Sequence, residues 1–295
     1  MMKAQQWKAK LLEAVGRVRE FARQHRLAPP REAPRLGAAF GGGFARGLAH
    51  IGVLKVLEEK QVKLACLAGT SVGGIIAGAY ASGATLEEIA AVAAKVRWKD
   101  FGRWTISRMG LASNHRLEAL VRRLFRAKQF DDLRIPLAVV ATDLRDGNAV
   151  VFTRGELGLA IRASCAYPGL FLPVEWNGGL LADGGLVATV PTQAAKELGA
   201  EVVVAVNLDN LQTDLEPKSI VDVLGRSFSI AQRSAEPVWR AQADIVVEPQ
   251  VSQFHWDEFE RAPELIAAGE EAMRAAWPRL ERLLRRSRKA HAVAR

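Results

Sequence analysis

The chain has 295 residues, of which 49% are hydrophobic and 25% are charged, and its formal net charge is +9. This composition is typical of a globular protein with a large buried core, and two cysteines, Cys66 and Cys165, are too few for a disulfide framework. We expect both thiols to be buried. No stretch approaches the roughly 18 to 20 apolar residues of a membrane span, and the N-terminus lacks an apolar signal segment, so we expect a cytoplasmic protein.

The positive charge is concentrated at the two ends of the chain. Residues 1–35 carry +6 and residues 274–295 carry +7, which leaves −4 for the remainder. Such basic ends suit an anionic partner. We favour an anionic membrane surface over nucleic acid, because no aromatic and basic platform and no DNA-reading motif accompanies them. The sequence predicts no oligomeric state.

Apolar residues at spacings of three and four predict an amphipathic helix over residues 4–25. Two positions for this helix stay open: its apolar face packs on the body of the protein, or it lies on an anionic membrane. The segment APPREAPR at 28–35 follows as a linker, because its prolines stop a helix. The apolar positions of the helix are Trp7, Leu11, Val15, Val18 and Phe21.

From residue 36 onward, short apolar runs alternate with helical patterns. Strands that read as continuous apolar runs between helices indicate a mostly parallel sheet covered on both faces, which is an α/β fold. A last helix is predicted over 262–287, kinked or split at Pro278. The predicted strands are RLGAAFG, VKLACLAG, IPLAVVATDL, NAVVFT and EVVVAVNLD, and the earlier helices are LAHIGVLKVLEEK, SVGGIIAGAYASG and PTQAAKELGA.

The first strand ends in a glycine-rich loop, GGGFARG, at residues 41–47. Such a run offers consecutive backbone N–H groups, which bind an anion well at the start of a helix. Gly42, Gly43 and the amide of Phe44 are therefore candidates for an oxyanion hole. Arg46 is a candidate for binding an anionic head group or for bracing the loop. The alternative is a phosphate site in a non-enzymatic protein, although the loop matches neither the P-loop nor the dinucleotide pattern.

The second strand leads into Gly69-Thr70-Ser71-Val72-Gly73, a G-x-S-x-G pattern followed by a helix. Strand, tight turn and helix form the setting of a nucleophile elbow, the sharp turn that exposes a catalytic serine. The helix N-terminus favours the negative charge that develops there. A simple helix N-cap would suit Ser71 equally well.

A nucleophilic serine needs a base, and the histidines offer no good candidate. In the usual Ser, Asp, His order only His255 or His291 would qualify, and neither lies in a suitable turn. Asp183, in LLADGGLVATVP, follows an apolar run and precedes two glycines, so its carboxylate is able to project from a tight turn. Asp-Gly is also a common turn dipeptide, and this simpler interpretation stays open.

Four segments in this order, GGGFARGLAHIGVL, GTSVGG, SCAYPGLFLPV and ADGGLVATVP, resemble the patatin-like phospholipase family, in particular bacterial members similar to the neuropathy target esterase catalytic domain. The segment ATDLRDGNAVVFTRGEL is also similar to that family. The resemblance covers roughly residues 36–210 and fades towards 250. It implies a three-layer α/β domain at 36–250, between the basic helix and linker at 1–35 and a basic helical extension at 251–295.

The resemblance also implies a chemistry: a Ser-Asp dyad with Ser71 as nucleophile and Asp183 as base, and no metal or cofactor. Gly42, Gly43 and the Phe44 amide would form the oxyanion hole, and residues 168–173 part of the apolar wall. Phe44 departs from the family, which generally has a small residue there. The implied substrate is a phospholipid or lysophospholipid, and the implied location the cytoplasm or the inner membrane face. The alternative enzyme is a Ser-His-Asp esterase using His255.

Overall fold

The computed structural model describes residues 34–105, 107–208 and 220–293. Residues 35–283 form one compact unit. The helix predicted at 4–25 lies outside the described residues. Within the described part, no helix is both long enough and apolar enough to span a bilayer.

An eight-stranded sheet runs through the unit in the order β10-β9-β1-β2-β5-β8-β7, with β6 also paired to β5. The five strands from β10 to β5 are parallel, whereas β6, β7 and β8 are antiparallel to their neighbours. A separate hairpin is formed by β3 and β4. The strands are β1 Leu36–Phe40, β2 Leu64–Thr70, β3 Arg103–Trp104, β4 Ala112–Ser113, β5 Leu137–Asp143, β6 Ala149–Phe152, β7 Val174–Trp176, β8 Gly179–Asp183, β9 Val202–Val206 and β10 Ile245–Val247.

Helices surround the sheet, and the expected α/β class with a mostly parallel central sheet is confirmed. Buried apolar strands such as β1 and β9 are fully covered, because helices occupy both faces of a parallel sheet. The helices are α1 Ala49–Glu59, α2 Val72–Ala81, α3 Leu86–Ala93, α4 Trp98–Phe101, α5 Arg116–Leu124, α6 Leu157–Ser164, α7 Thr192–Glu197, α8 Ile220–Ser234, α9 Glu236–Arg240 and α10 Ala262–Val293. The 3₁₀ turns are Phe44–Leu48, Phe130–Asp132, Gly184–Leu186 and Phe259–Arg261.

Strands β2 and β8 meet end to end along one edge of β5. Strand β2 pairs with β5 as far as Thr70 opposite Val140, and β8 pairs with it from Asp183 opposite Ala141. Both lie on the edge opposite β6, because β6 pairs with these same β5 residues from the other side. The register therefore brings the turn after Thr70 beside Asp183.

The last helix, α10, is longer than predicted and is not split. It runs continuously from Ala262 to Val293 through Pro278, so the predicted split at that proline is wrong, whereas the alternative of a kink there stays a prediction. Met273 and Leu280, on either side of the proline, are fully buried, so packing supports the helix through the missing hydrogen bond. Close packing on α1 uses glycine: a Cβ on Gly269 would lie 1.9 Å from the Ala49 oxygen.

Candidate active site

Ser71 occupies the turn between β2 and α2 in a strained backbone conformation. Its φ of 54° and ψ of −125° are rarely adopted by a residue with a side chain, and such strain concentrates at functional sites. The flanking glycines are required by close contacts. A Cβ on Gly69 would lie 2.5 Å from the Gly74 nitrogen, and one on Gly73 would lie 2.2 Å from the Phe40 oxygen. The local sequence thus folds as the predicted elbow.

Asp183 ends β8 and lies buried beside the elbow, with 3% of its surface exposed. Its carboxylate accepts a hydrogen bond from the Gly185 amide at 2.8 Å, and the Ser71 hydroxyl lies close enough to lower the pKa of the carboxyl. Burial has the larger effect and raises that pKa to about 7. The structure therefore brings together the two residues that sequence reasoning paired.

The turn after Asp183 depends on glycine for close approach rather than for unusual dihedral angles. A Cβ on Gly184 would lie only 2.1 Å from the carbonyl oxygen of Val140. The carbonyl of Asp183 itself accepts a hydrogen bond from the Thr142 hydroxyl at 2.8 Å. These contacts fix the carboxylate against β5.

Ser164, which sequence reasoning did not select, connects the elbow to the same strand. The Ser71 amide donates to the Ser164 hydroxyl oxygen at 2.8 Å, and that hydroxyl donates to the Val140 carbonyl at 2.6 Å. Ser164 is fully buried. The SCAYPGLFLPV segment begins at this residue, but nothing local in it indicates a contact 93 residues away.

The glycine loop lies against the elbow, with a Cβ on Gly42 placed 3.6 Å from the Cβ of Ser71. The Gly42 amide donates to the Thr189 carbonyl at 3.4 Å. Within the described part of the chain, the amides of Gly43 and Phe44 have no such acceptor. An oxyanion role for the three candidate amides stays a prediction.

Phe44 and Arg46 have distinct contacts in this loop. Phe44 has a φ of 51°, a left-handed conformation that favours glycine. Its ring packs edge-on against Tyr167 and Trp256. The Arg46 Nε donates to the Phe254 carbonyl at 3.0 Å, a contact of the bracing kind. A role for Arg46 in binding head groups stays a prediction.

An apolar cavity opens in front of Ser71, with a volume of about 440 Å³ including its open mouth. Half of the residues that line it are aromatic, and Cys165 also lines it. The Cys165 thiol is within hydrogen-bonding reach of Ser71, and burial raises its pKa. The aromatic lining residues are Phe44, Phe101, Phe171, Trp256 and Phe259.

The histidines considered as bases lie elsewhere or have other partners. The His255 side chain is about half exposed and pairs with Asp257, and it is not among the residues that line the cavity. His291 lies beyond the part of α10 whose side chains the structure describes. His50 is fully buried, its Nε2 is 2.9 Å from the Gly41 oxygen, and burial lowers its pKa to about 4. A neutral His50 therefore donates to the glycine loop.

A strained serine, a buried carboxylate beside it and a glycine loop packed against it form an arrangement suited to acyl transfer. The comparisons agree with this class. The sequence profile described as patatin-like phospholipase matches residues 38–196, which is more than half of the chain. The chain therefore belongs to the patatin-like phospholipase family, and with it to a class of hydrolases.

Two relatives show the range of the similarity. An uncharacterised NTE family protein of Mycobacterium tuberculosis is 36% identical over 200 residues, which cover 65% of this chain and 55% of that protein. Lysophospholipase NTE1 of Yarrowia lipolytica is 29% identical over 215 residues, covering 71% of this chain and 15% of that protein. The chain thus spans about half of the first relative and a small part of the second.

Among solved structures, VipD from Legionella pneumophila is similar with a TM-score of 0.47 and 12% sequence identity. That alignment covers 83% of this chain and 67% of VipD.

Proposed function

We propose that this protein hydrolyses the acyl ester of a phospholipid or lysophospholipid with Ser71 as nucleophile and Asp183 as base. The observation that carries the proposal is the position of Ser71, which lines an apolar cavity and whose hydroxyl lies beside the buried Asp183 carboxylate. The cavity suits an acyl chain. The relatives named as lysophospholipases support the substrate class.

In the proposed reaction, Asp183 accepts the Ser71 proton while Oγ attacks the ester carbonyl carbon. The amides of Gly43 and Phe44 stabilise the oxyanion, a contribution that typically amounts to about 10² to 10³ in rate for one donor. Asp183 returns the proton to the leaving alcohol, and the acyl group stays on Ser71. Asp183 then takes a proton from water as the water oxygen attacks the acyl carbon. The bond from that carbon to Ser71 Oγ breaks, Asp183 returns the proton to Oγ, and the fatty acid leaves.

The environment of Asp183 supports its role as a base. An exposed aspartate with a pKa of about 3.9 is a poor acceptor for a serine proton. Burial raises the pKa of Asp183 to about 7, so its ionised form is both available near neutral pH and basic enough to act.

We also propose that the basic ends attract the protein to anionic bilayers on the cytoplasmic side. Each Lys or Arg near such a surface contributes about 1 kcal/mol at low salt. The proposal keeps the predicted domain boundaries at residues 35 and 250. The hydrolase domain lies between these boundaries, and the basic segments precede and follow it in the sequence.

Labelling with a fluorophosphonate probe tests the nucleophile. We expect covalent modification of the wild-type chain at Ser71, located by peptide mass spectrometry, and none in Ser71→Ala. Labelling at another serine, or none, would reject the assignment. His255→Ala separates the dyad from a Ser-His-Asp esterase: we expect near-normal turnover of a soluble p-nitrophenyl ester, whereas the alternative requires its loss.

A further inference from the structure

The β3–β4 hairpin, residues 103–113, carries large apolar side chains into solvent. Trp104 is 64% exposed, Met109 56% and Leu111 44%. Isolated exposed hydrophobic residues are common, but a cluster of this kind marks an interaction surface. Packing of the core therefore does not explain the apolar side chains of the hairpin.

The hairpin is hydrogen-bonded to a wall of the Ser71 cavity. The amides of Leu111 and Ala112 donate to the Leu170 carbonyl at 3.1 and 2.9 Å, and the Leu172 amide donates to the Ala112 carbonyl at 2.9 Å. Phe171, between these positions, lines the cavity. The exposed apolar group and the cavity thus share one structural unit.

Helix α8 also contacts this wall and has exposed apolar side chains. Val223 is 51% exposed and Leu224 48%. Leu224 also contacts the wall, since a Cβ on Gly169 would lie 3.1 Å from its Cδ1. Two elements distant in sequence therefore have exposed apolar groups and contact residues 167–172.

The charge of the hairpin selects among possible occupants. Residues 101–117 contain Arg103, Arg108 and Arg116 and no Asp or Glu. Arginine beside Trp, Met and Leu is the composition of segments that lie in an anionic membrane interface. A second copy of the chain would instead bring like charges together, which opposes association.

We propose that the β3–β4 hairpin inserts into an anionic lipid bilayer, with Trp104, Met109 and Leu111 among the acyl chains and Arg103 and Arg108 at the head groups. The inference rests on the proposed lipid-ester hydrolysis and names the surface through which that site reaches its substrate. The basic ends supply attraction at a distance, whereas the hairpin supplies the apolar contact that brings the cavity wall to the bilayer.

Co-sedimentation with vesicles tests the docking separately from hydrolysis when the Ser71→Ala chain is used throughout. We expect this chain to bind phosphatidylglycerol–phosphatidylcholine vesicles, and Met109→Gln/Leu111→Gln to weaken binding by about tenfold or more. Leu144→Gln is the matched control, since Leu144 is 47% exposed and lies outside the hairpin. Thermal unfolding midpoints check that each variant folds.

Unchanged binding of the double variant would overturn the proposal and assign attachment to the basic ends. Failure of the parent chain to bind these vesicles would overturn it as well. Hairpin-dependent binding supports the docking even if the wild-type chain hydrolyses no lipid, in which case only the proposed function fails.

Insertion depth gives a second measurement in vesicles with brominated acyl chains, which quench tryptophan fluorescence on contact. We expect Trp104→Phe to remove most of the quenching seen in the parent chain, and Trp176→Phe, on β7, to retain it. Equal quenching of the parent and Trp104→Phe would contradict insertion of the hairpin.

Discussion

The Ser71 turn and the Asp183 turn end two strands that meet along the same edge of β5, and they reach the site by different physical means. At Ser71 the backbone itself is strained, with a φ of 54° at a residue that bears a side chain. At Asp183 the φ is −50°, and the constraint comes from Gly184 packed against the Val140 carbonyl. The first turn aims its side chain by dihedral strain, the second by close packing.

Because of this difference, we expect mutations near the two residues of the candidate dyad to have different effects. Strain at Ser71 is maintained by its partners, so loss of a supporting hydrogen bond displaces the side chain without opening the core. Packing at Gly184, next to Asp183, admits no added atom, so a larger side chain at Gly184 costs stability. The following predictions test this contrast in order of decreasing effect.

Asp183→Asn removes the base and keeps the shape of the turn. We expect turnover of a soluble p-nitrophenyl ester to fall by about 10³-fold or more, since an amide does not accept the serine proton. Steady-state rates of the purified chain measure this, with circular dichroism to verify the fold. Wild-type turnover in this variant would reject the dyad.

Gly184→Ala tests the packing of the Asp183 turn. The added Cβ would lie 2.1 Å from a backbone oxygen, so we expect a loss of about 3 kcal/mol in the free energy of unfolding, measured in urea. Gly158→Ala on α6 is the control, because its Cβ would meet its nearest neighbour at 3.6 Å. That variant should be as stable as wild type or up to about 1 kcal/mol more stable.

The pH dependence reports the burial of Asp183. Because its pKa is raised to about 7, the base is protonated at lower pH, and the rate should fall about tenfold per unit below that value. A profile of kcat/KM between about pH 5 and 9 measures the acid limb. A flat profile across this range would show that another group supplies the base.

The raised pKa of Asp183 also makes the stability of the protein depend on pH. The carboxyl binds protons more tightly in the folded chain than in the unfolded chain, where its pKa is about 3.9, so its contribution to stability is lost as pH rises from about 4 to 7. Asp183→Asn removes this loss. We therefore expect the free energy of unfolding of Asp183→Asn to rise relative to that of wild type as pH increases from about 4 to about 7. Urea unfolding of both chains at these two pH values measures the difference.

Ser164→Ala tests the support of the strained turn and has the smallest effect. We expect kcat to fall about tenfold with KM nearly unchanged, because the Ser71 amide loses its acceptor while the cavity is intact. Steady-state kinetics on the soluble ester separate the two constants. Both Ser164→Ala and its control should lose about 1 to 2 kcal/mol of stability.

The control is Ser82→Ala, since buried Ser82 has the same pair of bonds: it donates to the Ala79 carbonyl at 2.7 Å and accepts from the Arg126 amide at 2.9 Å. It lies outside the site, so its kcat should match wild type. An equal loss of kcat in the two variants would show that Ser164 stabilises the fold and does not position Ser71.

Much of the fold followed from apolar patterning, but several elements did not. The alternation of apolar strands and helices predicted four of the five parallel strands, β1, β2, β5 and β9, but not the short strand β10. The β3–β4 hairpin and α8 were missed, because a two-residue strand carries no periodicity and α8 buries little of its surface. The split at Pro278 was wrong because burial on both sides of the proline, invisible locally, supports one continuous helix.

The sequence by itself determined both turns: Gly69-Thr70-Ser71-Val72-Gly73 and Asp183-Gly184-Gly185 encode their backbone constraints within a few residues. Only the tertiary structure decided that these turns meet, that Asp183 is buried enough to titrate near neutral pH and that Ser164 supports Ser71 from 93 residues away. The physical reason is the separation along the chain over which each kind of interaction acts. Dihedral and steric limits act between neighbours in the chain, whereas desolvation and long-range hydrogen bonds depend on which strands the register of β5 places side by side.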